Sequence, residues 1–357
     1  MILGIDASRA NKPERTGVEW YSYFLIQEFK KMVPSDITVR LYAQEEIGSD
    51  LLPLPKNWEV KILKWPFRFW TIFRFSLEML LHKPDKLFVP ANIIPFFAPK
   101  ETFTTIHDIG FKRFPECYGA AENRLQDFGV KRAIKKALII FSPSGFTKQE
   151  LNEVYRAPEK KIIVTPLGFS KPSKATESSK EIYKKYKING PYFFYIGRLE
   201  KKKNIENLVK AFEIFNKRDK KYTLVLAGNN SFGFDAPNGE NIKRLGWIPQ
   251  KDAELLMQNA ELFLYPSLYE GFGLPILEAM SARVPVITSN CASMPEVAGG
   301  GAYLIDPYNP ELISNAISEI LNIPDKKTSL IKAGLENIKK FSWPDCAQET
   351  LNHILQQ

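Results

Sequence analysis

Leu262-Phe263-Leu264-Tyr265, followed after three residues by Tyr269-Glu270-Gly271-Phe272-Gly273-Leu274-Pro275-Ile276-Leu277-Glu278-Ala279-Met280, is the stretch that decides the fold. The first four residues form an uninterrupted apolar run, as a strand buried on both faces does. A glycine-rich loop comes next. Pro275 then opens a helix, because proline is favoured in the first helical turn, where its missing N–H costs nothing. The segment therefore reads strand, loop, helix. Glu270 falls in the loop and Glu278 in the helix's first turn. That layout suits a ligand carrying both hydroxyls and phosphate: free N–H groups at a helix start attract anions, and ionised carboxylates accept hydrogen bonds.

The same pattern extends in both directions. Upstream, strand-like runs at 2–5, 39–42, 60–63, 87–89, 103–106, 138–141 and 162–164 alternate with helical segments. One of these helices runs from about Val18 to Lys31 and starts with a Thr16/Glu19 capping box. A Lys- and Ser-rich stretch, 170–189, interrupts the series and reads as a linker. A second series follows at 192–196, 224–226, 262–265 and 285–287, and helical segments near 310–322, 327–340 and 344–356 close the chain. Strands alternating with helices predict parallel sheets covered on both faces. The expected class is α/β, two Rossmann-like domains facing across a cleft. Their expected bounds are 1–169 and 190–341, with a C-terminal helix at 342–357 crossing back to the first domain. In such sheets ligands bind beyond the carboxyl ends of the strands.

With 357 residues the chain can build two cores. Three scattered cysteines, Cys117, Cys291 and Cys346, make neither a disulfide framework nor a metal cluster and fit a reducing compartment. The N-terminus meets Asp6 too early for a signal peptide, and no apolar run approaches the roughly 20 residues of a membrane span. A cytoplasmic protein is expected. The net charge of +9 favours anionic partners without choosing among nucleic acid, membrane and phosphorylated small molecules.

Gly197-Arg198-Leu199-Glu200-Lys201-Lys202-Lys203-Asn204 follows the first strand of the second series. Arg198 sits where the strand ends and Lys203 at the mouth of the next helix, positions from which two cations can hold a diphosphate and offset charge on a leaving phosphate. The ordinary reading is a solvated basic turn; the glutamate loop leaving the same end of the same sheet favours function. Glu278 likewise has an ordinary reading as a carboxylate stabilising a helix dipole, and each glycine alone could be turn chemistry.

Together the glutamate pair, the Arg198–Lys203 pair and Ala-Ser-Met-Pro-Glu-Val-Ala-Gly at 292–299 resemble the retaining glycosyltransferases of family 4, over nearly the whole chain. The resemblance implies the GT-B fold and transfer of a hexose of mannose or glucose type from a nucleotide diphosphate sugar to a glycan or lipid-linked acceptor, without a metal or other cofactor. It places the product in cell-surface polysaccharide or glycolipid. It makes Glu270 a ligand of the sugar hydroxyls and Glu278 the acceptor for the ribose hydroxyls. Phe272 and Gly273 would offer backbone groups to the sugar, and Leu274 an amide to the phosphate. Arg198 and Lys203 would hold the diphosphate, and Gly246-Trp247-Ile248 would flank the base. In the first half, Gly17 matches a glycine loop near diphosphate and acceptor, where many members have two glycines, and His107-Asp108 matches a pair facing the donor sugar. Ser142-Pro143-Ser144 resembles the family's serine turn, although a helix cap explains it as well.

Residues 61–83 interleave Trp65, Phe67, Phe69, Trp70, Phe73 and Phe75 with Lys61, Lys64, Arg68 and Arg74. Such a segment can lie at an anionic membrane interface, which for this chain would be the inner face of the plasma membrane, or form a core helix with snorkelling cations. Nucleic acid is disfavoured, since no binding motif accompanies the charge. Two other functions stay open: a same-fold sugar-nucleotide epimerase, and a basic membrane- or polyanion-binding protein without transferase activity.

Overall fold

A computed structural model describes residues 1–12, 14–170, 179–231 and 233–356. The chain divides into two compact units: residues 1–112, 120–168 and 341–357 form the first, and 113–119 with 169–340 the second.

The first unit carries a seven-stranded parallel sheet: β1 (Ile2–Asp6), β2 (Thr38–Ala43), β3 (Trp58–Ile62), β4 (Lys86–Val89), β5 (Glu101–Thr105), β6 (Ile139–Ser142) and β7 (Ile162–Val164), in the order β3-β2-β1-β4-β5-β6-β7. The second carries six parallel strands: β8 (Tyr192–Ile196), β9 (Thr223–Ala227), β10 (Ile242–Gly246), β11 (Leu262–Tyr265), β12 (Val286–Ser289) and β13 (Ala302–Ile305), ordered β10-β9-β8-β11-β12-β13. Both orders reverse direction once, at β1/β4 and at β8/β11. Such switch points leave a crevice at the strands' carboxyl ends, where ligands of open α/β sheets bind.

The central strands β4, β6, β11 and β12 are buried along their whole length, which is why adjacent apolar residues run together in them. The two strands that the hydrophobic pattern misses, β10 and β13, are the edges of the second sheet. Ile242-Lys243-Arg244-Leu245 is half exposed and Ala302-Tyr303-Leu304-Ile305 is buried only at its ends, so neither shows a clean apolar run.

The helix Gly17–Met32 begins with the expected capping box: the Glu19 carboxylate accepts from the Thr16 N–H at 3.3 Å and from its hydroxyl. The final helix, Trp343–Leu355, belongs to the first unit and packs along Gly17–Met32. Trp343 stacks on Phe24 with ring centres 4.9 Å apart. Gly168 lets the chain pass beneath it, since a Cβ there would lie 2.2 Å from the Trp343 nitrogen.

Of the expected linker, 171–178 lies outside the described residues. Ser179–Tyr186 is a helix of the second unit, anchored by Ile182 in the core and by Lys185 and Tyr186, each 2.5 Å from the Asp252 carboxylate. Its apolar face is narrow, and the surrounding lysines mask it in the sequence. Among the described residues, no helix is long and apolar enough to cross a membrane.

Candidate active site

In the second unit, the loops after β8 and β11 flank the switch point and carry the candidate donor residues. The chain leaves β8 at Gly197 and makes a short 3-10 turn, Lys201–Lys203. It then enters the helix Ile205–Asn216 through Asn204, whose φ of 62° is held by amide hydrogen bonds to the carbonyls of Pro266 (3.0 Å) and Pro307 (2.6 Å). The Lys202 carbonyl accepts from the Leu268 N–H at 2.8 Å. The two loops are thus bonded to each other.

The three lysines of this turn have different tasks. Lys201 pairs with Glu116 at 3.0 Å, and Lys202 lies buried with its ammonium 2.6 Å from the Tyr118 hydroxyl. Lys203 reaches the motif: its Nζ is 2.5 Å from Oε1 of Glu270 and 3.5 Å from the Tyr265 hydroxyl. Oε1 also accepts from the Ser267 hydroxyl at 2.8 Å. Glu270 is nearly buried, so these contacts supply hydrogen bonds that scarce bulk water does not. Its carboxylate has about four acceptor positions, which leaves capacity for a hydroxyl ligand. Lys203 carries three N–H donors and can hold Glu270 while turning another proton to a phosphate. Burial, followed by the Glu270 charge, pushes the Tyr265 phenol well above its ordinary value, so Tyr265 stays protonated.

The loop backbone is fixed from below. The buried Ser293 hydroxyl lies 2.9 Å from the Glu270 carbonyl and 2.8 Å from that of Phe272. Gly273, at φ 105°, precedes the helix Leu274–Ser281, and a side chain there would be strained whatever the space. The amides of Gly273 and Leu274 meet no acceptor among the described residues, so two N–H groups at a helix start are open to an anion. Arg198 is exposed, and among the described residues its guanidinium has no ion-pair partner.

Glu278 departs from expectation. The helix starts at Leu274 and has no acidic residue in its first turn; Glu278 stands one turn further in, where the dipole explanation weakens. It lines a hollow with Ile196, Gln250, Ala253, Glu254 and Met257. Burial, with the Glu254 charge adding to it, pushes its carboxyl up to about 7. Ile248, buried, stands two residues ahead of Gln250 in the helix Gln250–Gln258, and the neighbouring Trp247 is exposed. The hollow therefore sits beside the end of β8 and the chain leaving β10.

A raised carboxyl pKa has a defined sign. The unfolded chain releases this proton near 4.5 and the folded chain near 7. Folding is therefore penalised increasingly as pH rises from 4.5 to 7, and the full penalty persists above. Glu278→Gln is expected to raise the melting temperature at pH 8 and change little at pH 4. If Glu278 accepts the ribose hydroxyls, as the resemblance implies, the same change should weaken nucleotide binding on the order of tenfold to a hundredfold, the worth of hydrogen bonds to a charged group. A variant melting below the parent at pH 8 would contradict the assignment.

The remaining candidates belong to the first unit. Gly17 opens its helix without a positive φ, and a Cβ placed on it would meet nothing within 4 Å, so the fold itself does not demand glycine there. His107 lies just past β5, edge-on to Tyr21 with ring centres 4.7 Å apart. Its Nε2 is 3.2 Å from the Pro90 carbonyl, which can only accept, so Nε2 carries the proton. Burial lowers the imidazole's pKa, and the neutral ring presents Nδ1 as an acceptor. Asp108 Oδ1 accepts from the Gly110 N–H at 2.7 Å. The Ser144 hydroxyl accepts from the Thr147 amide at 3.1 Å as a helix cap, in line with the structural reading of Ser142-Pro143-Ser144.

Sequence reasoning missed Ser267, Gln250 and Glu254. Ser293 was legible only as part of the 292–299 string, because its role is a contact across 21 and 23 residues of chain.

The family model described as glycosyl transferases group 1 matches residues 178–337. An Escherichia coli protein named O-antigen chain mannosyltransferase B is 32% identical over 272 residues, covering 72% of this chain and 71% of that one. The fold is similar to that of WaaG, a glycosyltransferase involved in lipopolysaccharide biosynthesis, with a TM-score of 0.74 at 13% identity over 100% of both chains. It is similar also to HepE of Anabaena, solved in complex with UDP and glucose, with a TM-score of 0.74 at 16% identity over 100% of this chain and 99% of that one.

Proposed function

Because the chain belongs to the glycosyl transferases group 1 family, and is thus a glycosyltransferase of the GT-B fold, we propose that it moves mannose from a nucleotide diphosphate sugar to a hydroxyl of a growing surface glycan. The proposal includes retention at the anomeric carbon and independence of metal. The observation that carries it is the Lys203–Glu270 pair, 2.5 Å apart at the β8/β11 switch point: a sugar-binding carboxylate and a phosphate-binding cation in one constellation. The mannosyl assignment is supported by the name of the Escherichia coli relative.

In this reading, the nucleoside lies in the hollow of Glu278, whose ionised form accepts both ribose hydroxyls. The diphosphate lies against Arg198, the third N–H of Lys203 and the open amides of Gly273 and Leu274. Negative charge grows on the leaving phosphate as the sugar gains oxocarbenium character. Preorganised cations and amides aimed at that charge lower the barrier, the task a metal performs in other designs. Glu270, oriented by Lys203 and Ser267, fixes the sugar through its hydroxyls; Phe272 and Gly273 border it with backbone groups. Gly17, His107 and Asp108 remain assigned by the family resemblance to the sugar and diphosphate, with Nδ1 of His107 as an acceptor.

The test is transfer from nucleotide-activated mannose to a lipid-linked glycan acceptor, with the product's anomeric centre read by NMR. The expected result is a mannoside with the donor's anomeric configuration, formed equally well with a chelator present. An inverted product, or free epimerised sugar nucleotide without transfer, would overturn the reading.

A further inference from the structure

The 61–83 segment is apolar on two faces, and the fold covers only one. A π-helical turn, Thr71–Phe75, runs into the helix Ser76–Leu81. Its inner side, Trp70, Phe75 and Met79, packs with Tyr42, Leu63, Leu87, Val89 and Ile94 in the core. Its outer side presents Phe73, Leu77, Leu80 and Leu81 to solvent, with Phe67 and Phe69 beside them; Phe67 is 68% exposed, Leu81 61% and Phe73 56%. A helix apolar all round belongs inside a core or against lipid. The Phe96 amide donates to the Ser76 hydroxyl at 2.8 Å, bringing exposed Phe96 and Phe97 alongside, and Phe128 follows with its ring centre 6.1 Å from that of Phe96. Exposed apolar side chains therefore come from neighbouring elements as well as from this segment, beyond the scattered single residues of ordinary surfaces.

The charges around it are one-sided. Residues 61–83 contain five lysines and arginines against one glutamate. That glutamate, Glu78, is buried and turned inward, with Lys61 at 2.6 Å, His82 at 3.3 Å and Arg74 at 3.4 Å. Lys64, Arg68 and Lys83 are exposed, and among the described residues none has an ion-pair partner. Arg132 lies 4.6 Å over the Phe96 ring.

We propose that this face seats on the surface of an anionic lipid bilayer, with Phe67, Phe73, Leu77, Leu80 and Leu81 entering the headgroup–acyl boundary while Lys64, Arg68 and Lys83 meet lipid phosphates. Apolar side chains ringed by basic ones are the pattern of segments that lie in the interface plane. A second copy of the chain fits worse, because a two-fold contact is self-complementary and would bring these cations toward their own counterparts. Single-stranded nucleic acid fits worse too, since three of the outer residues are leucines with no ring for a base to stack on. The inference is independent of which sugar the second unit binds.

The experiment is flotation of the whole chain with phosphatidylcholine vesicles, with and without phosphatidylglycerol. The parent protein is expected to float with the anionic vesicles and to be released by salt. Phe73→Ser/Leu77→Ser/Leu81→Ser should cut the bound fraction at least about tenfold, and Lys64→Glu/Arg68→Glu/Lys83→Glu should abolish the preference for phosphatidylglycerol. Both variants should keep the parent's melting temperature and its stabilisation by nucleoside diphosphate, since they alter only exposed side chains. A parent protein that stays unbound with anionic vesicles overturns the proposal. So does an apolar variant that floats like the parent, or light scattering showing a parent dimer that the apolar variant turns into monomer.

Discussion

Glu270→Gln is expected to lower kcat/KM for glycosyl transfer on the order of 10²–10³-fold, the usual cost of one preorganised electrostatic contact at a reacting centre. Glutamine keeps the side chain's size and an acceptor for Ser267, but it removes the charge that Lys203 faces at 2.5 Å. Both side chains are little exposed, at 13% and 11%. Lys203 would be left uncompensated, and removing one partner of a buried pair is destabilising. The variant should therefore melt below the parent as well as transfer poorly. Stability and activity can be separated by adding Lys203→Met. The double variant takes both charges away, so it should regain melting temperature while activity stays at the lower level or falls further. Recovery of activity together with stability would reduce the pair to a structural brace.

Arg198→Met is the complementary case. No described residue pairs with Arg198, and its side chain is exposed, so the substitution should leave stability within about 0.5 kcal/mol, as surface changes do. If Arg198 holds the diphosphate, donor affinity and rate fall together, because the same contact is stronger in the transition state than in the bound substrate. A loss of roughly 10²-fold in kcat/KM at unchanged melting temperature is expected. Kinetics equal to the parent's would remove Arg198 from the site.

The parts of the fold legible in the sequence are those where one physical demand acts alone. β11 is buried on both faces, so Leu262-Phe263-Leu264-Tyr265 announces it, and Pro275 marks the helix start to within one residue. β10, with Lys243 and Arg244 at a half-exposed edge, shows no such run. The 61–83 segment shows a different limit. Its composition displays apolar and basic residues together, but how much of the apolar perimeter the core covers depends on residues outside it, from Tyr42 to Ile94. The site was legible as two motifs flanking one sheet end. That Lys203 and Glu270, separated by 67 residues, meet directly was not, nor that Ser267 and Ser293 hold the loop. Glu278 stands further along its helix than the loop pattern implies, and its pKa is raised by burial, with the charge of Glu254, which lines the same hollow, adding to it.

In the proposed function the β8/β11 switch point binds the diphosphate of a sugar nucleotide. The direct measurement is the melting temperature of the parent protein and of Arg198→Met during titration with nucleoside diphosphates. A ligand that binds only the folded state adds about 2.7 kcal/mol at a hundred times its Kd. A saturable rise is expected for the parent with at least one nucleoside diphosphate, displaced to much higher ligand concentration in Arg198→Met. A parent protein whose melting temperature no nucleoside diphosphate raises, or a rise that is the same in both proteins, would contradict it.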